Sequence, residues 1–195
     1  MPALLLPGEP APIRLTNTVW AERGRLHDDL ETVDDLRVWL ATIDPGAVGA
    51  EIGEADLERF RALRDALRRL AAFLTDDDRP AAASAMREVE SAVAEVNRAA
   101  AQAPAWPLLA LDGGRLARRP GTAAAPADRC LAALAVQAIE LFTGPERERL
   151  RACYGPGCVL YFVKDHPRRG WCSAGCGNRA RAARHYARHR TSQQD

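Results

Sequence analysis

The chain is 195 residues long, 47% hydrophobic and 27% charged, the proportions of a globular protein and not of a disordered or fibrous one. No segment reaches the roughly 18 to 20 uncharged apolar residues of a membrane helix. The opening Met1-Pro-Ala-Leu-Leu-Leu-Pro lacks the basic flank and apolar core of a secretion signal, so a cytoplasmic protein without a membrane partner is expected. The formal charge of +1 hides a division: residues 151–190 carry nine of the 27 basic groups and only Asp165 of the 26 acids, leaving +8 there and −7 elsewhere.

After a Pro-rich start, Ile13–Trp20 alternates and is expected to form a strand. Thr32 or Asp34 caps a short helix to Ile43, with Leu36, Trp39, Leu40 and Ile43 on one side and Pro45-Gly46 as its stop. Asp56–Leu74 is the strongest helix, because Leu57, Phe60, Leu63, Leu67, Leu70 and Leu74 recur at spacings of three and four with arginines opposite. A second long helix is expected over Arg79–Ala101, its narrower line of Met86, Val89, Val93 and Val96 packing closely on the first. Leu108–Leu111 and Arg115–Ala117 flank Asp112-Gly113-Gly114 as a short hairpin, since Gly-Gly supplies positive φ. A linker over Pro120–Pro126 precedes a third helix, Asp128–Phe142, that turns Cys130, Leu131, Leu134, Ile139 and Phe142 inward. Cys130 reads as a small buried apolar residue. Gly144-Pro145 interrupts, and Glu146–Arg151 restarts a helical turn ahead of the remaining cysteines.

Those four, Cys153, Cys158, Cys172 and Cys176, fall in two close pairs within 24 residues. Two chelating pairs joined by a spacer are what one tetrahedral zinc ion requires, and this is favoured over iron–sulfur or redox chemistry. Gly155, Gly157, Gly175 and Gly177 lie where loops must curl around sulfur. His185 and His189 stand four apart, but four thiolates already saturate a structural site, so both read as helix-surface residues. His166 reads as a turn residue. A hydrolytic zinc keeps a position for water and a neighbouring general base. Asp165 is the only acid near in sequence, and no phosphate loop or nucleophile elbow is found, so no catalytic residue and no enzyme activity are expected.

After Cys176 an Ala/Arg-rich helix is expected over Gly177–His189. Arg181, Arg184, His185 and Arg188 share a face, while Ala182 and Tyr186 fall elsewhere, available to pack on the zinc loop. Arg168, Arg169 and Arg190 add to the charge, and guanidinium groups suit phosphate. Arg179 reads equally as a brace or a phosphate contact, whereas Asn178 reads as a structural residue that caps the zinc loop or the helix start.

Trp171-Cys172-Ser-Ala-Gly-Cys176-Gly177-Asn178-Arg179 resembles the signature of the CGNR zinc-finger family, as do Arg151-Ala-Cys153, the apolar stretch Val159–Val163 and the basic tail. Asn17-Thr18 and Leu63-Arg-Asp-Ala-Leu-Arg are similar to the ABATE domain that precedes this finger in stress-induced transcription regulators. The resemblance implies zinc on Cys153, Cys158, Cys172 and Cys176, and DNA binding. The expected fold is α+β: a mainly helical regulatory or dimerisation domain with a short β-hairpin over residues 1–146, then a treble-clef or ribbon-like finger over 147–195 ending in a basic helix. One structural Zn2+ would replace the core that so short a segment cannot build. The leading function is a DNA-binding transcription regulator, possible as a homodimer. The alternatives are an RNA-binding or acidic-protein-binding zinc module, or an effector-binding regulator whose pocket uses Trp20, Trp39 and Trp106.

Overall fold

The structure, a computed structural model, describes residues 6–43 and 51–191, apart from the side chains of Pro120, His189, Arg190 and Thr191. The expected stop at Pro45-Gly46 lies outside the described residues.

The first element corrects the sequence reading. Ala11–Thr16 is a short helix, α1, and only Val19–Glu22 is a strand, β1, paired antiparallel with β2 (Arg25–Asp28). Pro10 and Pro12 preset the first helical turn. Pro12, Ile13, Leu15 and Thr16 are all buried, because α1 is enclosed by other elements rather than lying on a two-sided sheet, so alternation loses its meaning. Helix α2 (Val33–Ala41) follows a reciprocal capping box in which Thr32 and Asp35 satisfy each other's backbone N–H. It buries Leu36, Trp39 and Leu40.

Helix α3 (Glu54–Leu74) is the spine of the body and buries Leu57, Phe60, Leu63, Leu67 and Ala71. The expected second long helix is shorter than its composition suggests: a 3-10 turn at Pro80–Ala82 precedes α4 (Val89–Ala100). Between them Ser84 donates to the Asp65 carbonyl (2.6 Å) and Arg69 donates to the Arg87 carbonyl (2.6 Å), so contacts with α3 override the helix preference of alanine. Helix α4 buries Ala92, Val96 and Ala99, whereas Val93 is exposed and Met86 precedes the helix. The hairpin runs longer than expected, as β3 (Trp106–Asp112) and β4 (Arg115–Gly121) around Gly113-Gly114, with Leu109, Leu111 and Leu116 exposed. Helix α5 (Pro126–Thr143) then crosses α3 and α4 with Cys130, Leu131, Leu134, Ala135, Ala138 and Phe142 buried; Ile139 faces out.

After a 3-10 turn at Pro145–Arg149, β5 (Leu150–Ala152) and β6 (Tyr161–Val163) form a third two-stranded antiparallel pair, and α6 (Ala174–Thr191) closes the chain. Leu150, Ala152, Tyr161 and Val163 belong to the same buried cluster as α1, α3 and α5. The cysteine-bearing segment is therefore docked on the body through one shared core. Among the described residues no helix is long and apolar enough to cross a membrane.

Candidate metal centre and basic helix

The cysteine pairs arrive on two short elements. Strand β5 leads into Cys153, a tight turn over residues 154–157 delivers Cys158, and β6 returns the chain along β5. The Cys158 N–H donates to the Gly155 carbonyl (2.8 Å), and Gly157 adopts a φ of +72°. A Cβ at Gly155 would stand 2.8 Å from the Cys176 Cβ, so this turn approaches the second pair as only glycine allows. Cys172 precedes α6 and Cys176 lies in its first turn, where its N–H donates to the Ser173 hydroxyl (3.3 Å). A knuckle between two paired strands and a helix start supply the four ligands, as in a treble clef.

All four sulfurs are buried and lie within 4.8 Å of one another, with Cys172 3.4 Å from Cys176 and 3.8 Å from Cys158. Sulfurs on a tetrahedral zinc with bonds of about 2.3 Å stand about 3.8 Å apart, so the set fits one ion. Crowding divides the thiols: the Cys158 thiol lowers Cys153 from 9.0 to about 7, and hydrogen bonding from Cys153 draws Cys176 lower still. Cys158 and Cys172 are pushed up by the same neighbours, Cys153 first. Four such thiols deprotonate together only around a cation, and the site is a centre for one structural zinc. Four thiolates leave a surplus of negative charge on that ion. Arg179 donates to Cys176 Sγ (3.0 Å) and the Cys172 N–H donates to Cys153 Sγ (3.4 Å), both toward the sulfur charge.

The finger supplies all four sulfurs, and the body braces the loops that carry them. Arg79 donates to the carbonyls of Cys153 (2.9 Å) and Cys158 (2.8 Å), fastening the first knuckle, and stacks 4.4 Å over the Tyr154 ring. It is ion-paired with Asp77 (2.6 Å), which also accepts from the Tyr161 hydroxyl (3.1 Å). Burial alone would raise the Asp77 carboxyl, but hydrogen bonds from Arg79 outweigh it and hold it below its ordinary 3.8. Burial raises the Tyr161 phenol, and Asp77 adds to that. Asn17 accepts from the Tyr161 N–H (3.0 Å) and donates to its carbonyl (2.9 Å), pairing with β6 as a neighbouring strand would. Buried Arg68 donates to the carbonyls of Thr16 (2.8 Å) and Ala82 (3.2 Å) and lies 5.7 Å from the Tyr161 ring centre. Glu9 is an acid at the centre that sequence proximity missed: it accepts from the Val163 N–H (2.8 Å) and pairs with Arg169 (2.5 Å).

The basic residues divide in two. Arg169 is enclosed, donating to the carbonyls of Val163 and Cys172 besides Glu9 and lying 4.9 Å over Phe162, so it holds the fold rather than facing a partner. Arg179 is turned to sulfur. Arg168, Arg181, Arg184 and Arg188 are exposed, and the Arg190 side chain lies outside the described residues. Asn178 accepts from Arg181 on the exposed helix surface. Ala182 and Tyr186 do not pack on the zinc loop: both are exposed, Tyr186 at 74%, because α6 leaves the body after its first turns. His185 is exposed on the same stretch, the side chain of His189 lies outside the described residues, and His166 accepts from the Arg168 N–H (3.1 Å). The three tryptophans do not converge. Trp39 is core against Phe60, Trp106 is half-exposed on the β3–β4 hairpin, and Trp20 stacks on His27 at 4.3 Å beside the zinc knuckle.

Compared with known families, residues 9–145 match ABATE, described as "Putative stress-induced transcription regulator", and residues 149–189 match the CGNR zinc finger. No curated protein matches the chain.

Proposed function

The chain belongs to the ABATE family and carries a CGNR zinc finger, and from that premise we propose that it is a DNA-binding transcription regulator whose zinc centre fixes a basic helix against the duplex. The observation that carries this reading is the state of α6. Its first turn carries Cys176 of the sulfur cluster, with Arg179 turned onto that sulfur, while residues 181–188 are exposed and place Arg181, Arg184, His185 and Arg188 on one face. No acidic residue lies between Asp165 and Asp195 to neutralise them. An α-helix fits the major groove, about 12 Å wide, and arginine pairs well with phosphate. The role implies a cytoplasmic protein. A homodimer is the corresponding reading of the outward leucines of β3–β4, and light scattering on the full chain checks it.

The centre is read as non-catalytic. Four thiolates leave no ligand position for water, and the nearby carboxylates of Glu9 and Asp77 are engaged by Arg169 and Arg79. Fluorescence anisotropy with duplex DNA across a salt series tests the proposal. Each phosphate contact contributes about 0.9 to the log–log slope, so Arg181→Ala/Arg184→Ala/Arg188→Ala should lower it by about 2.7 with zinc content unchanged. An unchanged slope, or stronger binding to RNA or an acidic polypeptide than to duplex DNA at physiological salt, overturns it.

A further inference from the structure

The turn between β1 and β2 has the wrong residue for its shape. Register pairs Glu22 with Arg25, leaving Arg23-Gly24 as a two-residue loop, and both carry positive φ, +49° and +78°. This is the type I′ pattern, in which the first position favours Asn, Asp or Gly and a long side chain is held in a disfavoured conformation. Nothing in the hairpin's own packing calls for arginine there, since Arg23 is exposed. Local strain of this kind persists where a side chain serves something other than the fold.

Across a groove from this turn lies the finger. A groove of about 750 Å³ separates the β1–β2 hairpin from the zinc knuckle, lined on one side by Trp20 and Arg23 and on the other by Gly157, Ser173 and Arg179. The hairpin is not free to drift from it. Trp20 packs against the cysteine cluster, stacks on His27 and donates to Asp29 (2.9 Å). Arg23 is thus fixed across a groove from the first turn of α6, whose later turns carry the exposed arginines. Glu22 also lines the groove, across the ladder from exposed Arg25, and Arg23 is the cation that the hairpin contributes to that wall.

We infer that the β1–β2 turn is a second nucleic-acid contact: Arg23 reaches a backbone phosphate of the same duplex that α6 engages, so body and finger grip one strand across this groove. The inference rests on the DNA-binding reading above and adds to it a contact from outside the finger. It also gives the body a direct mechanical hold on the DNA, through which a change in the body's packing would alter affinity.

The test uses the full, zinc-loaded chain and Arg23→Asn, which creates the favoured residue for this turn. A purely structural arginine would leave DNA affinity unchanged. The contact proposed here makes stability and binding move oppositely: the melting temperature holds or rises, the salt slope falls by about 0.9, and affinity at 0.1 M salt weakens roughly eightfold. Arg23→Lys should retain most of the binding. Unchanged affinity and slope in Arg23→Asn, while the triple α6 variant still loses its slope, overturns this inference and leaves the DNA-binding reading standing. If neither variant alters the slope, both fall.

Discussion

The body and the finger reach a folded state by opposite means. In the body, α3, α4 and α5 bury leucines, alanines and two phenylalanines against one another at helical spacing, and apolar burial carries the structure. The finger's own buried cluster holds six residues, and four of them are the cysteines. Leu150, Ala152, Tyr161 and Val163 are spent in the body's core, the first knuckle is fastened by Arg79, and β6 is held by Asn17 and Glu9 from outside. A segment too small for a core is thus held by a metal on one side and a larger neighbour on the other.

The comparison breaks most visibly if zinc is removed. Cys172→Ser, or chelation, should release the single equivalent of zinc and unfold residues 153–191; structural zinc in finger peptides is worth roughly 10–16 kcal/mol. Because β6 is shared, the body's melting temperature should fall as well, in contrast to the isolated loss of the C-terminal segment that an independent finger would show. Circular dichroism melts alongside metal analysis decide between the two.

Arg79→Ala is the next largest effect. It leaves two ligand carbonyls without their donor and the Asp77 carboxylate without its cation, and should cost about 3 kcal/mol in urea unfolding. A loss below about 0.5 kcal/mol would mean that the knuckle stands without the body.

A smaller effect follows from pH. The Asp77 carboxyl is held below its unfolded value of 3.8, so its stabilisation is fully present above about pH 4 and is lost as pH falls through the folded value. Asp77→Asn should lower stability at pH 7 and flatten the part of the acid limb that zinc release does not account for. Equal acid limbs in the two proteins, at matched zinc content, would remove this ion pair from the account.

The smallest effect belongs to the outer half of α6. Arg184→Ala should change stability by less than about 0.5 kcal/mol, since the side chain is exposed on a helix that has left the body. A larger loss would show that this helix face packs on the protein instead of facing a partner.

Much of this was legible in advance where the signal is local. The heptad-like leucines of α3, the Thr32 cap, the Gly-Gly hairpin and the paired cysteines all declare themselves within a few residues. The misreadings share one cause. Ile13–Trp20 reads as a strand because alternation is blind to the enclosure of α1, and Arg79–Ala101 reads as one helix because the partners of Ser84 and Arg79 lie far along the chain. Arg169 reads with the nucleic-acid arginines because a sequence shows its charge but not Glu9, 160 positions away. Asn17 stood out only as a family-like residue; its pairing with Tyr161 spans 144 positions.

The amino-acid order by itself determined α2, α3 and α5 of the body, the chemistry of the metal and the excess of positive charge at one end, since each follows from spacing, ligand type or composition. Which arginines face outward, which acids guard the zinc centre, and that the finger leans on the body were decided by tertiary structure. Those depend on who meets whom across the shared core, and burial converts the same guanidinium from a surface charge into a clamp on a carbonyl or a sulfur.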